Sequence, residues 1–356
     1  MGQTLVIAEK PSVAGDIARA LGGFKKDGDF WVSDAMIVGS AVGHLLEIKA
    51  PEEYDVKRGR WSFANLPVLP PHFDLQPIKK SIKKFEGLEK KIRSRSVTDI
   101  INACDAGREG ELIFRYIIQA TGTKKPIRRL WLQSMTKASI QKAFTALRSD
   151  AEMKPLEAAA RSRSEADWLV GINGTRALTA FNSKDGGFFL TTVGRVQTPT
   201  LAIVVAREEE ITHFKPQNYW EVHATFGAQA GDYDSVWVDA DFKKTKGQSA
   251  ELKPERLWTA AEAQAIVAKC QGKLGIVTDH KRRATSAPPA LFDLTSLQRE
   301  ANGRFGFPAK MTLAILQRLY ERHKVLTYPR TDSRALPEDY PETMKETLSH
   351  LQKLSL

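Results

Sequence analysis

The chain has 356 residues, 42% of them apolar and 27% charged, an ordinary soluble composition long enough for two or three domains with buried cores. Lys and Arg outnumber Asp and Glu by 53 to 42, and the net charge of +11 favours a polyanionic partner, nucleic acid being the commonest. Two cysteines, Cys104 and Cys270, exclude a disulfide framework and a Cys-x-x-Cys zinc pair, and no apolar run approaches the ~20 residues that span a bilayer.

Met1 to Lys10 has no basic segment followed by an apolar signal core, so the cytoplasm is the default compartment. Thr4 to Ala8 (TLVIA) reads as a short buried strand. An amphipathic helix follows over Val13 to Leu21, with Pro11 leading in and Ser12 as its N-cap. A second apolar strand, Ile37 to Val42, ends at Gly43-His44. Lys79 to Arg95 is rich in Lys and Arg with Glu86 and Glu89 interspersed, which suits a solvated helical face as well as phosphate contact. Thr98 to Ala103 is a β-branched run that halts at Cys104-Asp105 and yields to a helix around Leu112 to Gln119. Strands alternating with helices predict an α/β domain over roughly the first 140 residues.

From about Leu156 to Glu210 the pattern is helical, interrupted by Lys184-Asp185-Gly186-Gly187. Alternation in YWEVHATF and SVWVDADF, between Tyr219 and Phe242, predicts antiparallel strands. Gly247 to Pro254 reads as a loop and Pro288-Pro289 as a boundary. Helices near Thr295 to Gly303 and Ala309 to His323 follow, separated by Gly306-Phe307-Pro308, with Leu316, Leu319 and Tyr320 as a packing stripe.

Four groups of residues carry potential chemistry. Glu9 closes the first strand, and Asp105-Ala106-Gly107-Arg108-Glu109-Gly110-Glu111 closes a later one. The carboxyl ends of parallel strands converge on one rim, where carboxylates suit Mg²⁺ and a phosphate; acidic residues at a helix start equally serve its macrodipole. In Thr327-Tyr328-Pro329-Arg330-Thr331-Asp332-Ser333, a phenol of pKa near ~10 needs help to become a nucleophile, and a cation two residues away offers it. An ordinary loop tyrosine is the other reading. Thr192-Val193-Gly194-Arg195-Val196-Gln197-Thr198-Pro199 offers small residues and donors to a DNA backbone, or simply a tight turn into a helix over Leu201 to Glu210. Arg163 and Asp167, four apart, share a helix face with Trp168 and Arg176 nearby, fitting either structural pairing or contacts to single-stranded DNA.

Taken in order, these segments resemble the type IA DNA topoisomerases, most of all the bacterial topoisomerase III branch. The matching stretches are LVIAEKPSVA, VGHLLE (42–47), DAGREGELIF (105–114), RSRSEADWLVGINGTRAL (161–178), TVGRVQTPTLAIVV (192–205), LTSLQREANGRFGFPAKMTLAILQRLYE and TYPRTDS (327–333). The resemblance implies an α/β Toprim domain over 1–150, a helical DNA-groove domain over 151–212, a β-rich arch segment over 213–288 and a helical domain over 289–356, together an incomplete toroid. It implies Mg²⁺ on Glu9 and Asp105, Glu9 and Lys10 beside the scissile phosphate, Tyr328 bonded to the 5′ phosphate, and Arg330 positioning that phosphate. Thr192, Val193, Gly194, Arg195, Val196 and Gln197 would line a single-strand groove, joined by Trp61, Arg163, Asp167, Trp168 and Arg176. His44, Arg108 and Glu111 would support cleavage.

Two departures stand out. Where many members carry Asp-x-Asp, the second Asp is Gly107 here, which leaves Glu109 or Glu111 as the substitute ligand. The chain also ends 28 residues beyond Tyr328, before the family's later His-containing motif, and so reads as a fragment or a truncated gene product. The expected activity is ATP-independent single-strand cleavage, passage and religation by a monomer on single-stranded or negatively supercoiled DNA at the nucleoid; no Gly-x-x-x-x-Gly-Lys-[Ser/Thr] loop is present. A Toprim-type nuclease or primase and a DNA-binding remnant are the rival readings.

Overall fold

Strand β1 (Gln3–Ala8) sends Leu5 and Ile7 to one face of a sheet and Val6 and Ala8 to the other; all four are fully buried, so helices must cover both faces. The computed structural model describes residues 2–53, 61–243, 252–323 and 325–353. They form two compact units, Met1–Pro199 with Pro289–Leu356, and Thr200–Pro288.

The first unit continues with α1 (Pro11–Leu21), β2 (Lys25–Asp27), β3 (Phe30–Val32), β4 (Met36–Ser40), β5 (Leu46–Ile48), β6 (Leu75–Pro77), α2 (Ile82–Arg93), β7 (Val97–Ala103), α3 (Arg108–Thr121), β8 (Ile127–Arg129), α4 (Lys137–Thr145), β9 (Arg148–Ser149) and α5 (Asp150–Asn182). Seven strands form one sheet in the order β2-β3-β4-β1-β7-β8-β9. The inner four are parallel and the edges antiparallel. One face is filled by Val13, Ala14 and Ile17 of α1 with Ile140 of α4. The other is filled by Phe85, Leu88 and Ile92 of α2 and Leu112, Ile113, Phe114 and Ile117 of α3, with Ala160 of α5 at its margin. The basic run of α2 keeps those three apolar residues inside while Lys84 and Lys91 pair with Asp29 and Asp27 at 3.1 and 3.9 Å, so part of that face is a structural surface.

Three boundaries differ from expectation for local reasons. Helix α1 starts at Pro11, which lacks only an N–H that a first turn leaves unbonded anyway, so Lys10 is the N-cap and Ser12 makes no cap bond. Strand β4 stops at Ser40, and the chain turns through Gly43 at φ +83°, leaving Val42 half exposed. Helix α5 begins at Asp150 because Ser149 and Glu152 form a capping box.

Helix α6 (Gln197–Thr212) starts at the end of the first unit's N-terminal segment, and most of its residues belong to the second unit. The second unit holds the hairpin of β10 (His223–Ala228) and β11 (Gly231–Val236), with Phe226 stacked on Tyr233 at 5.4 Å, and α7 (Ala260–Cys270). The hairpin turns at Gln229-Ala230, aided by Gly231 at φ +123°; most of the expected SVWVDADF strand therefore lies beyond β11. Most of the expected loop from Gly247 to Pro254 lies outside the described residues. Back in the first unit come α8 (Leu294–Phe305), α9 (Ala309–Arg318), a π-helical turn over Leu319–His323 and α10 (Pro341–Lys353). Among the described residues, no helix is long and apolar enough to cross a membrane.

Candidate active site

The order β4-β1-β7 reverses direction of travel at β1, so the carboxyl ends of these strands open a crevice. Glu9 and Lys10 follow β1, Asp105 follows β7, and His44 follows β4. The Gly43 N–H donates to the Glu9 carbonyl at 3.4 Å, tying the β4 turn to the end of β1. Gly110 brings α3 against the Asp105 backbone: an added Cβ would stand 2.2 Å from the Asp105 carbonyl oxygen. A side chain there would force the helix and the acidic turn apart.

Burial, and then the charge of Asp105, push the Glu9 carboxyl above its usual range against the opposing pull of Lys10. Glu9 Oε2 is buried without a hydrogen-bond partner. That one oxygen is short of a donor or a metal, although the Asp105 backbone and Lys10 favour the carboxylate's charge, and the two acidic groups fit the one or two carboxylates Mg²⁺ takes alongside water and phosphate oxygens. No cluster of three His, Cys, Asp or Glu with metal-ligand geometry occurs among the described residues. Glu109 is well exposed, its Oε2 3.3 Å from His44 Nε2, and Arg108 is exposed beside it. Glu111 faces inward instead. It is 0% exposed, and its carboxylate is taken by Arg115 Nε (2.7 Å), Asn102 Nδ2 (3.0 Å) and Arg129 Nε (3.4 Å), so it stands in for no rim ligand.

Tyr328, at the other end of the chain, lies against this rim. Lys10 Nζ is 4.9 Å from the Tyr328 ring centroid and 3.9 Å from Asp105 Oδ2. The ring packs edge-on against Tyr320 at 5.6 Å. Burial raises the Tyr328 phenol above its ordinary range; Lys10 and the exposed Arg330 lower it, while Asp105 and Glu9 raise it. The segment beyond is fastened in three places. The Leu294 N–H donates to the Thr331 carbonyl at 3.1 Å, and Arg334 pairs with Asp293 at 3.2 Å. Asp339 accepts hydrogen bonds from Ser134 and Thr136 at 2.9 and 2.7 Å. One aspartate in a polar stretch carries no sequence signal, so the role of Asp339 becomes visible only in the fold.

The 192–197 segment lies along α5. Val193 exchanges hydrogen bonds with Thr175, and at Gly174 an added Cβ would come within 2.8 Å of Val193. Arg195 donates to Asp167 at 2.8 Å, and Arg163 stands 4.0 Å from the same carboxylate. Thr192, Val196 and Gln197 are exposed here, and Gly194 N–H donates to Thr198 Oγ1 at 3.1 Å. Trp168, half-buried, and Arg176 also make contacts within the protein. The Trp168 indole N–H donates to the Lys49 carbonyl at 3.2 Å, while Arg176 is buried, pairs with Glu52 and lies 5.3 Å over the Trp61 ring. Both join α5 to the segments at 49–52 and 61; Trp61 in turn meets Phe188 at 5.7 Å.

Residues 4–135 match the Toprim domain family, and residues 151–355 match the DNA topoisomerase family. The DNA topoisomerase 3 of Bacillus licheniformis (strain ATCC 14580) and that of Bacillus subtilis (strain 168) are each 41% identical over 354 residues, covering 99% of this chain and 46% of theirs. That of Shouchella clausii (strain KSM-K16) is 43% identical over 351 residues, 98% of this chain and 45% of its own. The chain thus spans about half the length of these curated relatives. The full-length topoisomerase I structure from Thermotoga maritima shares the fold, with a TM-score of 0.58 at 23% identity over 97% of this chain and 52% of that one. This chain belongs to the type IA DNA topoisomerase family and corresponds to the N-terminal part of its topoisomerase III members.

Proposed function

We propose that this chain cuts one DNA strand by transesterification, with Tyr328 as the nucleophile. The observation that carries the reading is the position of Lys10 between the Asp105 carboxylate and the Tyr328 ring, at 3.9 and 4.9 Å. One phosphate lying there would meet phenol, cation and carboxylates together.

Tyr328 Oη bonds to phosphorus as its proton leaves; the bond from phosphorus to the 3′ oxygen breaks, and that oxygen takes up a proton. The products are a Tyr328 ester of the 5′ phosphate and a free 3′ hydroxyl. Because the ester conserves the phosphodiester, religation is the same step reversed and needs no nucleotide. Lys10 and Arg330 offset charge on the phosphate oxygens and on the phenolate. Mg²⁺ held by Glu9 and Asp105, with Glu109 at the margin, would supply charge neutralisation at the phosphodiester. His44 orients Glu109, with Arg108 beside it. The strand's path follows Thr192 to Gln197, with Arg163 and Asp167 setting Arg195, and with Trp61, Trp168 and Arg176 bracing the wall. In domain terms, 1–150 supplies the rim, 151–212 the groove, 213–288 an arch segment and 289–356 the tyrosine. The substrate is single-stranded or negatively supercoiled DNA, the working form a monomer at the nucleoid, and complete strand passage, for relaxation or decatenation, the work of a full-length enzyme.

The test is denaturant trapping on a labelled single-stranded oligonucleotide with Mg²⁺. The chain should carry label into a protein–DNA adduct, and Tyr328→Phe should carry none. Equal cutting by both proteins without an adduct would replace this reading with a Toprim-type nuclease. Binding without cutting at every Mg²⁺ concentration would replace it with a DNA-binding remnant.

A further inference from the structure

Behind the rim, the turn that bears Asp105 is wrapped around a buried guanidinium. Arg129, the last residue of β8, is 1% exposed. Its Nη1 donates to the carbonyls of Asn102 (3.0 Å), Cys104 (2.7 Å) and Leu130 (3.0 Å), and its Nη2 to that of Asp105 (2.8 Å). Strand β7 ends at Ala103, so the Cys104 and Asp105 carbonyls lie beyond the ladder, where a chain is free to settle in several ways. The Nε end makes no hydrogen bond but faces the Glu111 charge, Oε2 lying 3.4 Å from Nε, and Arg115 grips the same carboxylate at 2.7 Å while reaching Asp150 and Glu157 of α5 at 2.6 and 3.3 Å.

A charge buried this deeply is costly, and mere packing would be served by an apolar residue of similar size. What the planar fork does that an apolar side chain or the point charge of a lysine does not is fix several carbonyls in one plane at once. We infer that Arg129 is a positioning residue for the metal site: it sets the backbone of residues 102–105 so that the Asp105 carboxylate stands beside Glu9. Glu111 acts on the metal indirectly, through Arg129 and through Asn102, whose amide donates to it at 3.0 Å. The inference rests on the reading of Glu9 and Asp105 as the Mg²⁺ pair.

The test uses the full chain without DNA, with Mn²⁺ as the probe ion followed by electron paramagnetic resonance, and single-strand binding in EDTA alongside. Arg129→Lys should weaken Mn²⁺ binding about tenfold while single-strand affinity in EDTA stays within about twofold, and adduct formation should recover at raised Mg²⁺. Wild-type Mn²⁺ affinity in Arg129→Lys, with Asp105→Asn weakened, would overturn the role of Arg129 and leave the metal reading standing. Unweakened binding in Asp105→Asn would overturn both. Should Arg129→Lys not fold, Glu111→Gln keeps the guanidinium and its carbonyl bonds but removes the charge that faces its Nε. It should weaken Mn²⁺ binding by about threefold or more, and wild-type affinity there would overturn the inference.

Discussion

A buried carboxylate oxygen without a partner, as at Glu9 Oε2, destabilises a folded chain, and the neighbouring Asp105 charge adds to the effect. Because folding raises the Glu9 pKa above 4.5, the folded state holds more protons than the unfolded one between that value and the raised one. Stability therefore declines as pH rises through that window and stays lower above it. Glu9→Gln should raise the melting temperature at neutral pH without added Mg²⁺, by an amount corresponding to about 1 kcal/mol, and the gain should vanish near pH 4. Calorimetry at the two pH values checks this; an unchanged or lowered melting temperature at neutral pH would contradict it. Gly107 allows a complementary change. Its backbone is extended, at φ 177°, and an added Cβ would meet nothing within 4 Å. Gly107→Asp should fold normally and bind Mn²⁺ about threefold to tenfold more tightly, since affinity follows the number of ligand charges. Titration by paramagnetic resonance reads the outcome.

At the scale of elements, the Tyr328 segment is held by α8 on one side and by the start of α4 on the other. Thr136 both caps α4 through the Ser139 N–H and donates to Asp339. The Thr136 hydrogen bond holds the Asp339 carboxyl below its usual range, so this clasp contributes above pH 3.8 and is lost only as pH falls further, through the folded value. Asp339→Ala should lower the rate of adduct formation about tenfold, through misplacement of the phenol, while leaving single-strand affinity unchanged. Rapid-quench measurement separates the two. The elements themselves were largely legible: β1 and β7 are short apolar or β-branched runs of the kind a sheet covered on both faces demands, and a helix is expected after β7, though α3 begins at Arg108 and not Leu112. What stayed hidden depends on tertiary setting. A buried Arg129 or Glu111 looks in sequence like any surface charge, and nothing in the sequence around Arg176 announces its pairing with Glu52 and Trp61. The hairpin turn chose Gln229-Ala230 over a later strand through a glycine geometry that alternation does not encode.

Across the whole molecule, the candidate site joins residues from opposite ends of the chain. The spacing between Lys10 and Tyr328 says nothing of their contact; the sheet order and the fastening of residues 331–339 bring it about. The second unit keeps little inside: of its described residues only Ala263 is buried, and Leu274 and Ile276 are almost wholly exposed. The net charge of +11 acts at this scale too, raising the local concentration of any nucleic acid around the chain and making its binding salt-dependent. None of this distinguishes a cutting enzyme from a binding protein as directly as the fate of one phenol. The decisive measurement is tandem mass spectrometry of peptides recovered after the chain reacts with a short single-stranded oligonucleotide and Mg²⁺. A nucleotide mass linked through a 5′ phosphate to Tyr328 is the expected result. Cut DNA with that peptide unmodified, or the nucleotide attached to a different residue, would contradict it.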